Sequence, residues 1–370
     1  MSSRILITGG AGFIGAHLAR ELLRAGYSVR ALDKLDAQVH ADGTRPSYLD
    51  DEVELIIGDI ADRDTVRKAL TGVEMVCHLA ANVGVGQSMY EIGRYTHTND
   101  FGTAVLLEEM IGHDIRRLLV ASSMSIYGEG LARLGNRSVE PSPRSLDQLK
   151  AARWELVAPS GEVLEPVATP ESKSPALHSI YALNKYVQER MSLIFGTAYG
   201  REVVAMRFFN VYGPYQALSN PYTGVLAIFG SRLLNDRPPM IFEDGLQRRD
   251  FVHVRDVARA CRLALESPLA RGRVFNIGSG ESRTVLDIAQ TMARVMGRQT
   301  ITPHITGKYR AGDIRHCFAD IGLARDLLGF SPQVRFEDGL TELVEWLLEQ
   351  SAVDGVEAAT QELSRRGLVA

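Results

Sequence analysis

Residues 5–15 read ILITGGAGFIG, in which a short apolar run is followed by glycines at Gly9, Gly12 and Gly15. The run predicts a buried strand, and the glycines predict a tight turn that opens a helix. Small residues in such a turn let the backbone approach a pyrophosphate, and the helix N-terminus adds free N–H groups and a positive dipole end. The stretch therefore predicts the first βα unit of a dinucleotide-binding fold.

The same alternation of strand-like and helical stretches continues along the first third of the chain. The strand-like segments VRALD, VELIIGD, MVCHLAA and RLLVASS are apolar almost throughout instead of alternating with polar residues. Continuously apolar strands are typical of a parallel sheet that helices cover on both faces. We therefore predict an α/β fold with a Rossmann-type doubly wound parallel sheet, joined to a smaller C-terminal α/β region that binds the substrate.

Acids stand at the predicted ends of the second and third strands. Asp33 ends the second strand, where a carboxylate can accept the hydroxyls of an adenosine ribose and repel a 2′-phosphate. This favours NAD over NADP, although the neighbouring Lys34 is a cation that could tolerate the phosphate. The third strand ends in Gly58, Asp59 and Ile60, and we expect Asp59 to hold the adenine edge. A solvated acid without ligand is the alternative for Asp59.

Tyr181 and Lys185 lie four residues apart in IYALNKY, so they share one face of a predicted helix. A free phenol has a pKa near ~10 and is a poor base at neutral pH. A lysine ammonium and a positive nicotinamide ring close to it would favour the phenolate. Tyr181 could then remove a proton from a sugar hydroxyl while the same carbon passes hydride to the cofactor. A surface pair on an amphipathic helix is the alternative.

Bulk composition excludes several classes of protein. The chain of 370 residues is 45% hydrophobic and 23% charged, with a net charge of −4 and no basic block, so no nucleic-acid partner is expected. No apolar stretch reaches the roughly 18 residues that cross a bilayer, and glycines interrupt the N-terminal apolar run, so neither a membrane span nor a signal peptide is expected. Three widely spaced cysteines form no metal or disulfide pattern. We expect a reducing, cytoplasmic setting and no metal.

The motifs TGGAGFIG, GDI, HLAA, SSMSIYG, YALNK and RFFNVYGP occur in the order seen in extended short-chain dehydrogenases/reductases. Within that family the chain resembles the nucleotide-sugar epimerases and dehydratases over about residues 3–345. The resemblance implies a catalytic set of Ser123, Tyr181 and Lys185. It implies that NAD contacts Gly9, Gly12, Phe13, Ile14, Gly15, Asp33, Lys34, Asp59, Ile60, Leu79, Ala80, Ala81, Asn99, Tyr181, Lys185 and Phe209.

The resemblance also implies where a nucleotide sugar would bind. Ser125 lies next to the sugar, and Asn210 and Arg249 match contacts to the sugar diphosphate. Arg310 matches a second phosphate contact, and Asp313 matches a ribose contact. Relatives commonly pair helices into a homodimer, and we expect the same here.

Structural roles are the alternatives at two of these positions. Asn210 could cap a turn, and Arg249 could pair with Asp250 on the surface. His78 and His253 also lie in matching motifs, and for both of them we expect a structural role.

Two side chains after Ser123 bear on the reaction. In the 4,6-dehydratases of this family an Asp and a Glu follow the catalytic hydroxyl and eliminate water, whereas here Met124 and Ser125 follow it. Methionine cannot donate a proton, and serine is far too weak an acid or base for that step. Family decarboxylases keep an acid at the second position, which Ser125 replaces. The remaining chemistry is oxidation and re-reduction of one carbinol, which is that of an epimerase.

The substrate loops GVGQSMYEI, SNPYTGVLAIF and FEDGLQRRDFV resemble those of dTDP-L-rhamnose 4-epimerases and related dTDP-6-deoxyhexose epimerases. Val83 replaces a lysine that contacts cofactor in some hexose epimerases, which could loosen cofactor retention. Three alternatives stay open: a UDP-hexose or UDP-hexuronate 4-epimerase, a reductase of nucleotide-linked 4-keto sugars, and a dinucleotide sensor without turnover.

The predicted domain organisation follows the same pattern. Residues 1–205 form the NAD-binding domain, with return segments at about 246–280. Residues 206–245 and 281–348 form the substrate-binding region, and 349–370 form a helical tail. An insertion at about 130–179 contains six prolines and is expected to have little regular structure beyond SLDQLKAARWEL. Three roles are open for the insertion: a cover over the sugar pocket, an oligomer contact or a passive loop.

Overall fold

A computed structural model of the chain describes residues 3–40, 42–216, 224–310, 312–349 and 362–369. The strands are β1 Arg4–Thr8, β2 Ser28–Asp33, β3 Glu54–Ile57, β4 Met75–His78, β5 Arg117–Ser123, β6 Ala132–Leu134, β7 Arg137–Val139, β8 Glu165–Pro166, β9 Glu202–Phe208, β10 Asn210–Tyr212, β11 Met240–Ile241, β12 Arg248–Arg249, β13 Phe251–His253, β14 Arg273–Ile277, β15 Arg283–Thr284, β16 His304–Ile305 and β17 His316–Cys317. The helices are α1 Phe13–Arg24, α2 Arg63–Leu70, α3 Val85–Ser88, α4 Ile92–Thr96, α5 Gly102–Ile111, α6 Leu146–Lys150, α7 Ile180–Tyr199, α8 Val225–Leu234, α9 Val254–Glu266, α10 Val285–Val295, α11 Gly322–Leu328 and α12 Phe336–Leu348.

A seven-stranded parallel sheet in the order β3-β2-β1-β4-β5-β9-β14 forms the centre of the protein. Ile5 of β1 pairs with Val29 on one side and with Met75 on the other. The strand order therefore reverses between β1 and β4, and this reversal opens a crevice at the carboxyl ends of the strands. The predicted Rossmann-type doubly wound sheet is confirmed.

Apolar clusters cover both faces of this sheet, which explains why its central strands are apolar throughout. Helices α1, α9 and α11 contribute buried side chains such as Leu22, Cys261 and Leu328 to one cluster. Helices α2, α5 and α7 contribute side chains such as Val66 and Leu106 to the cluster on the other face. Strand β5 is buried along its whole length because both clusters enclose it.

The last part of the chain divides its elements between the sheet and a second core. Segment 246–280 supplies α9, which packs against α1, and β14, which forms an edge of the main sheet. Helices α8, α10 and α12 enclose a separate apolar cluster that includes Tyr212, Phe229 and Phe336. This second core stands beside the carboxyl ends of the main strands through the parallel pair β10 and β13.

The insertion at 130–179 is more regular than its prolines predict. Its strands β6, β7 and β8 form a small antiparallel sheet in the order β7-β6-β8. The sheet encloses its own apolar cluster, with Leu156 and Leu164 buried. The expected helix in SLDQLKAARWEL is short and covers α6 alone, with Ser145 as its N-cap. The expectation of little regular structure was wrong because these few apolar residues suffice for a local core.

The predicted tail lies mostly outside the described residues, which resume at Glu362. Residues 362–365 form one helical turn, and Leu363 and Val369 are buried. Among the described residues, no helix combines the length and the apolar character that a bilayer span requires.

Candidate active site

A cavity of about 420 Å³ lies at the carboxyl ends of β1, β4 and β5, at the point where the strand order reverses. Ligands of doubly wound sheets bind at this position. Most of the residues assigned to the cofactor from the sequence line it, namely Gly9, Gly12, Phe13, Ile14, Gly15, Asp33, Lys34, Ile60, Leu79, Ala80, Ala81, Tyr181, Lys185 and Phe209. The catalytic Ser123 and the substrate residue Asn210 line it as well.

The glycine turn after β1 has the close packing that a pyrophosphate cradle needs. Gly9 has a φ of +70°, and a Cβ there would lie 2.9 Å from the Ala80 nitrogen. A Cβ on Gly15 would lie 2.3 Å from the Gly9 oxygen. Helix α1 begins after Gly12 without a side-chain cap, so its first N–H groups are available to an anion.

Asp33 and Lys34 have different partners at the other end of this turn. The Asp33 carboxylate accepts hydrogen bonds from the N–H groups of Ala11 at 3.1 Å and Leu35 at 2.9 Å, which fixes it at the cavity wall. The Lys34 ammonium pairs with Asp36 at 3.2 Å. Because its charge is engaged by Asp36, Lys34 does little to offset the repulsion that Asp33 exerts on a 2′-phosphate.

The three side chains predicted to be catalytic come from β5 and α7. Ser179 caps α7 by accepting the Ala182 N–H at 3.1 Å, and this cap places Tyr181 and Lys185 on the helix face toward β5. The Tyr181 side chain is hydrogen-bonded to Ser123, the last residue of β5. The Lys185 ammonium donates to the Ala121 carbonyl at 3.0 Å. The structure therefore brings these three groups together.

Burial governs the protonation of the tyrosine and the lysine. It raises the pKa of Tyr181 to about 12, and the hydrogen bond with Ser123 opposes this rise. Burial also lowers the pKa of Lys185 to about 7. The lowering of the tyrosine pKa that the sequence argument expected from Lys185 together with the nicotinamide ring stays a prediction for the NAD-bound protein. The protein alone therefore keeps Tyr181 protonated at neutral pH.

Residues 124–127 form a 3₁₀ turn directly after β5, so the two positions that carry acids in dehydratases lie beside Ser123. Met124 is buried in an apolar cluster with Phe209. The hydroxyl of Ser125 donates to the hydroxyl of Ser123 at 2.9 Å. The next acid in the chain, Glu129, instead accepts backbone N–H groups of residues 315 and 316, at 2.8 and 3.2 Å.

A buried ion pair that the sequence argument missed holds the catalytic helix against the sheet. Glu189 on α7 accepts from Arg207 of β9 at 2.7 Å and from the Ser122 hydroxyl at 2.7 Å. Arg207 also donates to the Tyr127 hydroxyl at 2.8 Å. Glu189 lies four residues beyond Lys185, on the same helix face, which was the available signal. The pair fixes the register of α7 against β5 and so the positions of the catalytic groups.

Asn99 and His78 act behind the cavity wall. The Asn99 side chain is buried and bonds both backbone polar groups of Asn82, at 2.7 and 3.1 Å. It therefore shapes a loop that lines the cavity and does not line the cavity itself. His78 lies between the hydroxyls of Thr8, at 2.7 Å, and Thr103, at 2.8 Å. Burial first, and then the Lys185 charge, lower the pKa of His78 to about 3, so this side chain is neutral.

Five other predicted site residues do not line this cavity. Asp59 accepts the Ala61 N–H at 2.9 Å, and Ser125 is turned to Ser123. The Arg249 guanidinium donates to backbone carbonyls, including that of Arg315 at 2.9 Å, and not to Asp250. Arg310 lies over the Phe242 ring at 4.7 Å, and Asp313 accepts the N–H of its neighbour at 3.2 Å. The last three lie on strand β12 and in the segment before β17.

Asn210 is the exception among the predicted substrate residues because it faces the cavity. Its Oδ1 atom is buried and has no hydrogen-bond partner among the described residues. An unpaired buried amide oxygen is costly, and a ligand that donates to it would remove the cost. His253, by contrast, accepts the Arg255 N–H at 3.3 Å and caps α9, and its pKa is lowered to about 3, mainly by burial.

The fold and the site together define an NAD-dependent short-chain dehydrogenase/reductase. The chain belongs to the NAD dependent epimerase/dehydratase family, whose model matches residues 5–146 and 155–278. The cofactor is NAD, which the glycine turn and Asp33 of this structure fit. The described residues contain no cluster of three or more metal-ligating side chains.

Individual relatives agree over almost the whole chain. It is 34% identical to a dTDP-L-rhamnose 4-epimerase of Burkholderia thailandensis, over 94% of this chain and 95% of the relative. It is similar to the crystal structure of UDP-glucose 4-epimerase with UDP-glucose from Thermotoga maritima, with a TM-score of 0.76, 31% identity and coverage of 94% and 99%. The UDP-glucuronic acid 4-epimerase of Bacillus cereus, in complex with UDP-glucuronic acid and NAD, has a TM-score of 0.76, 28% identity and the same coverage.

Proposed function

We propose that this protein is an NAD-dependent 4-epimerase of a nucleotide-activated sugar, with a dTDP-6-deoxyhexose such as dTDP-L-rhamnose as substrate. One observation carries the choice of epimerase over dehydratase. Beside the catalytic Ser123, the positions that need acids for elimination hold a buried Met124 and a Ser125 that bonds Ser123. Neither side chain can move a proton for elimination at neutral pH.

The proposed reaction uses the three catalytic side chains twice. NAD, when bound, supplies the acceptor and later the donor of the C4 hydride. Tyr181 takes the proton of the C4 hydroxyl, and Ser123 hydrogen-bonds the same oxygen as it becomes a ketone. A charged Lys185 next to the phenol favours its ionised form. After the 4-keto sugar has rotated about its diphosphate bonds, Tyr181 returns the proton to the other epimer, so no cofactor is consumed.

Similarity supports the sugar and the nucleotide unequally. The relative from Burkholderia thailandensis supports dTDP-L-rhamnose at 34% identity. Two solved 4-epimerases with UDP-sugars match the fold at a TM-score of 0.76 each, and they support UDP-hexose or UDP-hexuronate as the second candidate. All of these substrates share the carbinol chemistry that Tyr181 and Ser123 can perform.

Incubation without added cofactor tests the proposal. Purified protein is mixed with dTDP-L-rhamnose, dTDP-glucose, UDP-glucose or UDP-glucuronate, and the products are separated by ion-pair chromatography and identified by NMR. We expect a 4-epimer from dTDP-L-rhamnose and no 4-keto-6-deoxy product from dTDP-glucose. Elimination of water from dTDP-glucose would overturn the proposal in favour of a dehydratase. Conversion of dTDP-L-rhamnose to its 4-keto sugar only with stoichiometric NAD⁺, which is the reductase reaction in reverse, would identify a reductase.

We further propose a homodimer in a reducing, cytoplasmic setting, as the family resemblance and the cysteines suggest. Cys77, Cys261 and Cys317 are all free thiols and all buried, which suits a compartment without disulfide formation. Light scattering coupled to gel filtration measures the oligomer directly, and a mass near 40.7 kDa would identify a monomer and contradict the dimer.

A further inference from the structure

The insertion contacts a loop of the substrate region and not the cavity. Among the described residues that line the cavity, none lies between 130 and 179. The insertion instead meets residues 308–310 and 312–316, which we call the nucleotide loop because they include Arg310 and Asp313. The ring of Trp154 lies 6.2 Å from that of Tyr309, and Arg144 donates to the Asp313 carbonyl at 2.9 Å.

Charged groups strengthen this contact at the end of the nucleotide loop. The Arg315 side chain is 0% exposed, and it donates to Glu155 of the insertion at 2.5 Å. The other oxygen of Glu155 meets the His316 ring at 2.9 Å. On its other side, Arg315 donates to Glu243 at 3.0 Å. Asp244 also accepts from Arg315, at 2.7 and 2.9 Å. Glu155 is therefore the insertion's contribution to the three carboxylates that compensate this buried guanidinium.

Arg144 connects the insertion to the same acidic group. Its guanidinium pairs with Glu243 at 2.8 Å, and both side chains are 2% exposed. The insertion therefore contacts the nucleotide loop at Tyr309, at Asp313 and at residues 315 and 316. These contacts lie on both sides of the residues assigned to the phosphate and the ribose. The family model leaves residues 147–154 of the insertion unmatched, and these lead directly into Glu155.

We infer that the insertion is a brace that holds the nucleotide loop, and that Glu155 is a positioning residue for the nucleotide end of the substrate. This inference rests on the proposed function, since only a nucleotide-activated substrate would contact the loop. Glu155 acts through Arg315 and His316, so its loss should weaken nucleotide binding while the chemistry at Tyr181 continues. The earlier alternatives, a pocket cover and a passive loop, do not predict that nucleotide binding weakens while kcat is kept.

The test compares Glu155→Gln with Glu165→Gln in the full-length protein. Glu165 lies in the same insertion and also pairs with an arginine, Arg133 at 2.8 Å, but its side chain is 62% exposed. Calorimetry measures the Kd of dTDP and of UDP, and steady-state assays measure KM and kcat for the nucleotide sugar. For Glu155→Gln we expect Kd and KM to rise about tenfold, equivalent to about 1.4 kcal/mol, with kcat changed less than about twofold.

Matched values for the two variants, or a fall in kcat without a change in KM, would overturn the brace and leave the proposed function intact. Wild-type protein that binds neither dTDP nor UDP would overturn the proposed function and the brace with it. Should Glu155→Gln melt at much lower temperature, Glu155→Asp decides the question, because it keeps the charge. For Glu155→Asp we expect a Kd between those of the wild type and Glu155→Gln. If Glu155→Asp folds and has both a wild-type Kd and a wild-type KM, this result would also count against the brace.

Discussion

The Ser125 hydroxyl donates a hydrogen bond of 2.9 Å to the Ser123 hydroxyl, so a neutral donor orients the catalytic serine where a dehydratase holds an acid. Ser123 Oγ also accepts the Ser125 N–H at 3.2 Å. With both donors aimed at its oxygen, the Ser123 proton is free to point toward Tyr181 or the substrate oxygen. The turn at 124–127 thus serves orientation, and it offers no group for elimination.

Ser125→Ala tests this orienting role. One hydrogen bond of about 0.5–1.5 kcal/mol is lost, so we expect kcat to fall by about 2- to 10-fold. The content of bound NAD should stay at the wild-type value because Ser125 does not line the cavity. Steady-state kinetics with the epimerised sugar nucleotide measure the effect, and Ser160→Ala, on the exposed side of the insertion, is the control. An unchanged kcat would show that the Ser123 hydroxyl needs no such support.

Tyr181→Phe removes the proposed proton carrier and, with the hydroxyl, its hydrogen bond to Ser123. We expect kcat to fall by about 10²- to 10⁴-fold, the usual contribution of a positioned acid or base. The variant should still bind the nucleotide sugar and NAD, which calorimetry and assay of a denatured extract can measure. Tyr199→Phe, an exposed tyrosine on the same helix, is the matched control and should keep full activity. A Tyr181→Phe enzyme with more than a tenth of wild-type activity would contradict the mechanism.

The sequence predicts the parts of this site that are local in the chain. The glycine turn and the pair Tyr181 and Lys185 depend on one strand, one turn or one helix, and periodicity reveals such elements directly. Ser123 and its following turn belong to the same class, because a strand end is visible as the end of an apolar run. The glycine turn, Ser123, Tyr181 and Lys185 meet in one cavity because parallel strands end on one side of a sheet.

Contacts between distant segments escaped prediction for a physical reason. The pair Glu189 and Arg207 joins a helix to a strand, and Glu155 reaches Arg315, which lies 160 residues further along the chain. Spacing within one element carries no information about such partners. The sequence could not show how far Lys185 stays charged beside the tyrosine either, because the burial that lowers its pKa to about 7 depends on the whole fold.

Asn210→Ala should separate ligand binding from stability. Asn210 Oδ1 is buried without a partner, so its removal relieves a desolvation cost, and we expect the free energy of unfolding to stay the same or rise by about 1 kcal/mol. The KM for the nucleotide sugar should rise about tenfold or more, since the variant lacks both the Oδ1 acceptor and the Nδ2–H donor that could bond the charged diphosphate. Urea unfolding and steady-state kinetics measure the two effects.

The control for this variant is Asn235→Ala at the end of α8. Asn235 donates to the Ser231 carbonyl at 2.8 Å, so its loss should cost stability and leave KM unchanged. Asn210 is identified as a ligand contact if Asn235→Ala lowers the free energy of unfolding, Asn210→Ala does not lower it, and KM changes for Asn210→Ala alone. A large loss of stability in Asn210→Ala with an unchanged KM would mark it as a structural turn residue instead.

His78 predicts how stability depends on pH. Its pKa is lowered to about 3 in the folded protein, first by burial, whereas in an unfolded chain it is near ~6.5. Between these values the unfolded state binds a proton that the folded state does not, so the stability that depends on neutral His78 is present above pH ~6.5 and is lost as pH falls. The slope from this group is about 1.4 kcal/mol per pH unit.

Urea unfolding of wild type and His78→Gln between about pH 5 and 7 measures this slope. The variant should be less stable at neutral pH, because it loses the bonds to Thr8 and Thr103, yet its stability should fall less steeply on acidification. His304→Gln, which changes an exposed histidine, is the control. Since the other buried histidines titrate equally in wild type and variant, parallel slopes for wild type and His78→Gln would show that His78 accepts a proton within the folded protein.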